Sequence, residues 1–252
     1  VKVTDVYDEF NYGNFDPLAI KDFLSYAYFN WQFPKPVYVL LVGDASYDYK
    51  NYLGKNINYV PTHLFTQLYV DTHGWLRFIE IGSDSWFACV DGEDDLSDLL
   101  IGRLSGQNVS DIENMVEKIV QYEKHLPDEA WRKNILFVAD NPDEGGDFDW
   151  VSDQIASYYV PEDYDTTKVY FSRYYQNASW CKSDIKEKIN EGCVITNYFG
   201  HGAMDLWAGE VIFASRDVSS LQNLGKYPLL ITWTCLNGYF LHAKDDFSLA
   251  EE

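Results

Sequence analysis

Cys193-Val-Ile-Thr-Asn-Tyr198, followed at once by Phe199-Gly200-His201-Gly202, and Pro228-Leu-Leu-Ile-Thr-Trp-Thr234, followed by Cys235-Leu236-Asn237-Gly238, are the two stretches on which the fold turns. Each is a short apolar run closed by polar residues and glycine, the pattern of a strand rather than a helix. Ile135-Leu-Phe-Val-Ala139 before Asp140 has the same form. Val37-Tyr-Val-Leu-Leu-Val-Gly43 before Asp44 repeats it and reads as a strand buried on both faces. Helical spacing lies between these runs, at Asp16 to Ala27, Asp111 to Lys124, Trp150 to Tyr159 and Ser183 to Asn190, with Pro17 early in the first of them. A short helix is expected around Val218 to Leu224. Strands alternating with helices predict an α/β fold, a three-layer, largely parallel sheet.

Working outward, residues before Asp16 read as extended, and 45 to 83, rich in Tyr, Asn and Gly, as long loops with short strands. The pattern predicts two subdomains, an N-terminal α/β one over 1–128 and a second over 129–252. The chain opens without Met and stops at Ser248-Leu249-Ala250-Glu251-Glu252, which resembles a helix start, so the expectation is an excised piece whose C-terminal part is truncated.

With 252 residues, 46% of them hydrophobic, the chain can bury a sizeable core and is not intrinsically disordered. Forty acids against 19 bases give a net charge of -21, spread over both halves, which disfavours binding to a nucleic-acid backbone. No apolar run is long enough to span a membrane. The four cysteines, at 89, 181, 193 and 235, form no CxxC pair, which argues against zinc and against a dense disulfide framework. Asn108-Val-Ser110 and Asn177-Ala-Ser179 match the glycosylation sequon, a weak pattern.

In an open parallel sheet, chemistry gathers beyond the carboxyl ends of the strands. If the strands ending at Tyr198 and Thr234 are neighbours, about 4.8 Å apart, His201 and Cys235 face each other there. A thiolate is a nucleophile, and an imidazole can take its proton and return one to a leaving amine. Gly202 would let a carbonyl approach backbone N–H groups, so the N–H groups of Gly202 and Cys235 are the candidate oxyanion hole. The bland alternative is a turn histidine beside a buried apolar cysteine.

These residues carry a resemblance. Asn197-Tyr-Phe-Gly-His-Gly202 and Thr232-Trp-Thr-Cys-Leu-Asn-Gly238 look like the gingipain family of cysteine peptidases, within the caspase-like group. Tyr38-Val-Leu-Leu-Val-Gly-Asp44, Ser83-Asp84, Val90-Asp-Gly92, Ile101-Gly-Arg-Leu-Ser105 and Val138-Ala139-Asp140 resemble the family's further blocks, in order. The resemblance implies a caspase-like catalytic domain with Cys235 as nucleophile and His201 as general acid and base. Asp140 stands where the family has a carboxylate supporting the histidine, commonly Glu; its alternative reading is a strand-end cap.

The resemblance further implies structural calcium, for which Asp84, Asp91, Asp94 and Asp98 are the candidate oxygen ligands; a solvated acidic loop is the alternative. Asp147 and Asp149 are the nearest matches to the acid that selects Arg or Lys before the scissile bond. A secreted or cell-surface endopeptidase is thus expected, acting on peptide or protein substrates and belonging with other domains or a C-terminal segment of one precursor. A sortase-like transpeptidase and a non-catalytic, calcium-stabilised interaction module are the competing functions.

Overall fold

The computed structural model describes residues 1–55, 57–70, 73–124, 129–242 and 247–252. The chain divides into two compact units, Val1–Glu113 with Phe240–Asp246, and Asn114–Tyr239 with Phe247–Glu252. The boundary expected after 128 falls beside 125–128, outside the described residues; the change-over is at 113/114, within a helix.

The first unit opens with helix α1 (Val3–Asn11) where extended chain was expected. Val3, Val6, Tyr7 and Phe10 recur at helical spacing, and Val6 and Tyr7 are buried. Helix α2 (Pro17–Asn30) starts at Asp16, whose carboxylate accepts the Leu18 N–H at 2.9 Å, with Pro17 in the first turn. The rings of Phe10 and Phe23 meet edge to face between the two helices. Strand β1 (Tyr38–Val42) is followed by an antiparallel hairpin of β2 (His63–Val70) and β3 (Leu76–Ser83), longer than the short strands expected there. A turn of helix, α3 (Ser85–Ala88), precedes β4 (Leu100–Leu104), which pairs with β1 in parallel.

The expectation that β1 is buried on both faces is corrected by this pairing. Only Leu41 is buried, while Tyr38 is 77% and Leu40 60% exposed. The run has the composition of a core strand, but β1 and β4 form a sheet of two strands. Helix α4 (Val109–Lys124) then crosses from the first unit to the second.

The second unit holds the three-layer arrangement. Its strands are β5 (Asn134–Ala139), β6 (Asp165–Tyr170), β7 (Ile195–Phe199) and β11 (Leu229–Trp233), all parallel, in the order β11-β7-β5-β6. Helix α5 (Phe148–Tyr158) follows β5, and a turn, α6 (Phe171–Tyr174), with helix α7 (Ala178–Glu191) follows β6. Side chains of β5 alternate between two cores. Leu136 and Val138 pack with Cys181, Ile185 and Ile189 of α7. Ile135, Phe137 and Ala139 pack with Phe148 and Ala156 of α5. Five of the six β5 residues are buried, and full burial of one such side chain contributes about 1.5–3 kcal/mol. Between β7 and β11 lie three short strands, β8 (Gly202–Ala203), β9 (Leu206–Trp207) and β10 (Phe213–Ala214), in an antiparallel meander, then a turn, α8 (Ser215–Val218), rather than the helix expected at 218–224.

Candidate active site

The register sets the site. Ala139 of β5 lies opposite both Tyr170 of β6 and Phe199 of β7, and Phe199 lies opposite Trp233 of β11. All four strands therefore end in one row. His201 and Cys235 each come two residues after the last paired residues of adjacent parallel strands. The Gly200 N–H continues the ladder to the Trp233 carbonyl at 3.3 Å.

The backbone of His201 is tied from three directions. Its N–H donates to Asp140 Oδ2 at 3.1 Å, and its carbonyl accepts from the Tyr198 hydroxyl at 2.6 Å and the Ala208 N–H at 2.8 Å. Tyr198 is fully buried and stacks on Trp207, ring centroids 4.4 Å apart. Glycine is required at 200 and 202 by close approach. A Cβ on Gly200 would stand 2.3 Å from Asp140 Cβ, and one on Gly202 would stand 2.4 Å from Thr234 Oγ1.

The imidazole is half exposed and has a partner that sequence reasoning did not single out for it. Its Nε2 lies 3.0 Å from Asp143 Oδ2 and 3.3 Å from Oδ1. Asp140, the residue expected to support the histidine, is buried and reaches it only through the backbone, its other oxygen accepting the Asn141 N–H at 2.8 Å. The reason is local. Asp143 and Gly146 exchange two backbone hydrogen bonds at 3.1 Å, which folds the loop back over the ring. Gly145 lies so close that a Cβ there would stand 3.0 Å from the imidazole. Phe148 packs edge-on to the ring from α5, at 5.2 Å. The Gly145 N–H at 2.7 Å, and then the imidazole, hold the Asp143 carboxyl below the usual range, whereas burial pushes that of Asp140 up. With Nε2–H donating to Asp143, Nδ1 is left as the acceptor.

Cys235 is the exposed cysteine of the four. Burial pushes the Cys181 thiol up to about 12 and raises that of Cys193, so neither forms a thiolate readily near neutral pH. Leu236 takes a left-handed φ of 62°, and the Asn237 N–H closes the turn on the Cys235 carbonyl at 2.9 Å. The buried Asn237 amide donates to the carbonyls of Ala203 and Leu206, fastening the cysteine turn to the β8–β9 hairpin that begins at Gly202.

The other acids are held by the protein itself. Asp147 caps α5, accepting the Trp150 N–H at 3.2 Å. Asp149 is buried, with Oδ2 on Arg173 Nε at 3.0 Å. Asp84 forms a two-pronged pair with the guanidinium of Arg103, at 2.7 and 2.8 Å. Asp98 accepts the N–H groups of Val90 and Asp91, both at 2.8 Å, and Asp94 that of Leu96 at 3.0 Å. Asp91 is exposed. These donors do not fit a calcium sphere, which takes six to eight oxygens, because a guanidinium already occupies one carboxylate and backbone N–H groups two others. Among the described residues no group of three or more His, Cys, Asp or Glu is arranged to hold a metal ion. No helix among them is long and apolar enough to cross a membrane.

The model of peptidase family C25 matches residues 1–252. Gingipain R2 of Porphyromonas gingivalis is 26% identical over 175 residues, covering 68% of this chain and 23% of that protein. For gingipain R1 of the same organism the identity is also 26%, over 68% of this chain and 17% of that protein. The chain thus spans about a quarter or less of these relatives. The crystal structure of the Arg-specific cysteine proteinase gingipain R superposes with a TM-score of 0.69 at 24% identity, over 94% of this chain and 48% of that one. A complex of the pro- and mature domains of gingipain RgpB from Porphyromonas gingivalis gives 0.71 at 23%, over 97% and 51%.

Proposed function

Since the chain belongs to peptidase family C25, we propose that it performs cysteine-peptidase chemistry, with Cys235 as nucleophile, His201 as proton carrier and Asp143 as the carboxylate that orients the imidazole. The observation that carries this reading is that residues 201 and 235 each lie just past the carboxyl ends of adjacent parallel strands, with the His201 Nε2 engaged by Asp143, Nδ1 left to accept a proton, and Cys235 the exposed cysteine. The Cys235 thiol gives its proton to Nδ1, and Sγ bonds to the carbonyl carbon of the substrate. The N–H groups of Gly202 and Cys235 take the developing oxyanion. The imidazolium, stabilised by Asp143, then protonates the leaving amine as the C–N bond breaks, and a thioester remains. Water attacks the thioester, losing a proton to the imidazole; the C–S bond breaks, the acid product leaves and Cys235 recovers its proton. Asp140 acts one step back, by fixing the backbone of His201.

An electrophilic peptide ketone tests the assignment. It should label wild-type protein at Cys235 rather than at Cys89, Cys181 or Cys193, label C235A not at all, and label H201A far more slowly. Equal labelling of H201A and wild type would overturn the pairing.

A further inference from the structure

Strands β2 and β3 form a sheet of two, fixed to the first unit at its root. His63 stacks on Trp86, ring centroids 3.9 Å apart, and a Cβ on Gly82 would stand 2.8 Å from the side chains of Thr62 and Leu241. Beyond the root the two faces differ, because directly paired residues share a face. One face carries Phe65 with Ile81, Gln67 with Ile79 and Tyr69 with Arg77. The other carries Thr66 with Glu80, joined by a hydrogen bond of 2.9 Å, then Leu68 with Phe78 and Val70 with Leu76. Those last four are 55%, 69%, 65% and 59% exposed. Among the described residues, none of the four belongs to the core of the first unit. A two-stranded hairpin with such a face is marginal in water until something packs on it.

We propose that this face docks a second copy of the chain, forming a weak, reversible dimer. Charge selects that occupant. The chain carries -21, yet Arg77 and Glu80 are the only formally charged side chains of the two eight-residue strands. A partner recognised by charge would be basic and would meet carboxylates, and the block of Leu68, Val70, Leu76 and Phe78 offers none. A two-fold interface has the opposite need, since symmetry brings a patch of one sign against the same sign. The block meets that need, and the opposite face, with Arg77 beside Tyr69, does not. Size agrees. Exposed to this extent, four such side chains present roughly 500 Å² per copy, so a pair buries about 1,000 Å², the lower bound for a specific contact. Symmetry also fixes the arrangement. Turning the second copy about an axis across the strands lays Phe78 over the other copy's Leu76, and Leu68 over the other copy's Val70, with the sheets about 10 Å apart. The two hairpin roots then lie at opposite ends, which limits repulsion between chains that each carry -21.

Sedimentation equilibrium on the 252-residue chain tests the proposal without reference to peptidase activity. The weight-average mass should climb from one chain toward two between about 1 and 500 μM, with a midpoint in the tens of micromolar. Added salt should move that midpoint to lower concentration by screening the like charge of the two copies; a midpoint that rises with salt would mark an ionic contact and overturn the proposal. L68S/F78S, at exposed positions, should weaken association about tenfold or more, whereas F65S/I81S on the opposite face should leave it within about twofold. Far-UV circular dichroism checks that each variant is folded. If L68S/F78S does not fold, V70K gives the same test, because it sets like charges face to face across the interface. A chain that stays monomeric at the highest concentration, a dimer kept in folded L68S/F78S, or one lost equally in F65S/I81S would overturn the proposal. The first of these is the result expected if the face belongs to a different protein or to a further segment of a longer chain.

Discussion

Asp44 and Asp140 occupy matching places in the two units, each the buried acid just past an apolar parallel strand. Each also makes the same bonds at its own end. The Asp44 N–H donates to the Gly106 carbonyl and Oδ1 accepts the next N–H, of Ala45, at 2.8 Å. The Asp140 N–H donates to the Phe199 carbonyl and Oδ1 accepts the next N–H, of Asn141, also at 2.8 Å. They differ in the second oxygen. Asp44 Oδ2 takes the Gln107 amide at 3.0 Å, whereas Asp140 Oδ2 takes the backbone N–H of the imidazole-bearing residue at 3.1 Å. A strand-end aspartate is therefore a device for knotting a crossover, and chemistry arises only where the knot secures a reactive side chain.

The sharpest way to break that contrast is to remove the reactive groups themselves. C235A and H201A should each lose about 10⁴-fold or more in peptide turnover. Their melting temperatures should stay near wild type, and residual turnover in C235A at wild-type rate would end the comparison. D143N comes next, with kcat/KM falling about 10- to 100-fold, at or below the lower end of what a proton-transfer group contributes, because Asp143 orients the imidazole rather than carrying the proton. Its thermal stability should hold, because Asp143 and His201 are both substantially exposed; unchanged turnover would remove Asp143 from the mechanism. The two knots are compared directly by D44A and D140A. Each leaves buried donors without an acceptor and should cost about 1–3 kcal/mol in urea unfolding. Only D140A should also lower kcat per folded molecule, and equal losses in both would show that the second oxygen makes no difference.

The smallest effect is in pH. Burial raises the Asp140 carboxyl above its ordinary value against the pull of the two N–H groups it accepts. The folded protein then binds the proton more tightly than the unfolded chain, so this group's contribution to stability is full below about pH 3.9 and is lost as pH rises through the folded value. D140N lacks that slope, so the difference in melting temperature, wild type minus D140N, should become more negative from acid to neutral pH.

How much of this was legible before folding depended on whether a feature is local or counts neighbours. β5, β7 and β11 were readable because short apolar runs closed by polar residues or glycine need a sheet, and the places of His201 and Cys235 just past two neighbouring strands followed from their positions after those runs. β1 misled because its composition matches a core strand, and sequence does not reveal that it has one partner. The α1 stripe was readable from the spacing of Val3, Val6, Tyr7 and Phe10 but short enough to pass for extended chain. Strand-end logic pointed to Asp140 as the support of the histidine, while the loop closure that returns Asp143 to the ring is signalled only by Gly145-Gly146. The Asp149 to Arg173 pair, 24 positions apart, leaves no local signal at all.

The anchoring of His201 has a mechanical consequence. Its main chain is a fixed pivot, bound at N–H by one carboxylate and at carbonyl by a hydroxyl and an amide, while its ring hangs in a half-open slot between Gly145 and Phe148. Motion at residue 201 is thereby reduced to rotation about two side-chain bonds, with Asp143 as the stop. Exposed rings of this kind reorient in picoseconds to nanoseconds. Withdrawing the stop would set the imidazole turning while the peptide plane beneath it stays still, so ring relaxation and amide relaxation at this one residue should part company.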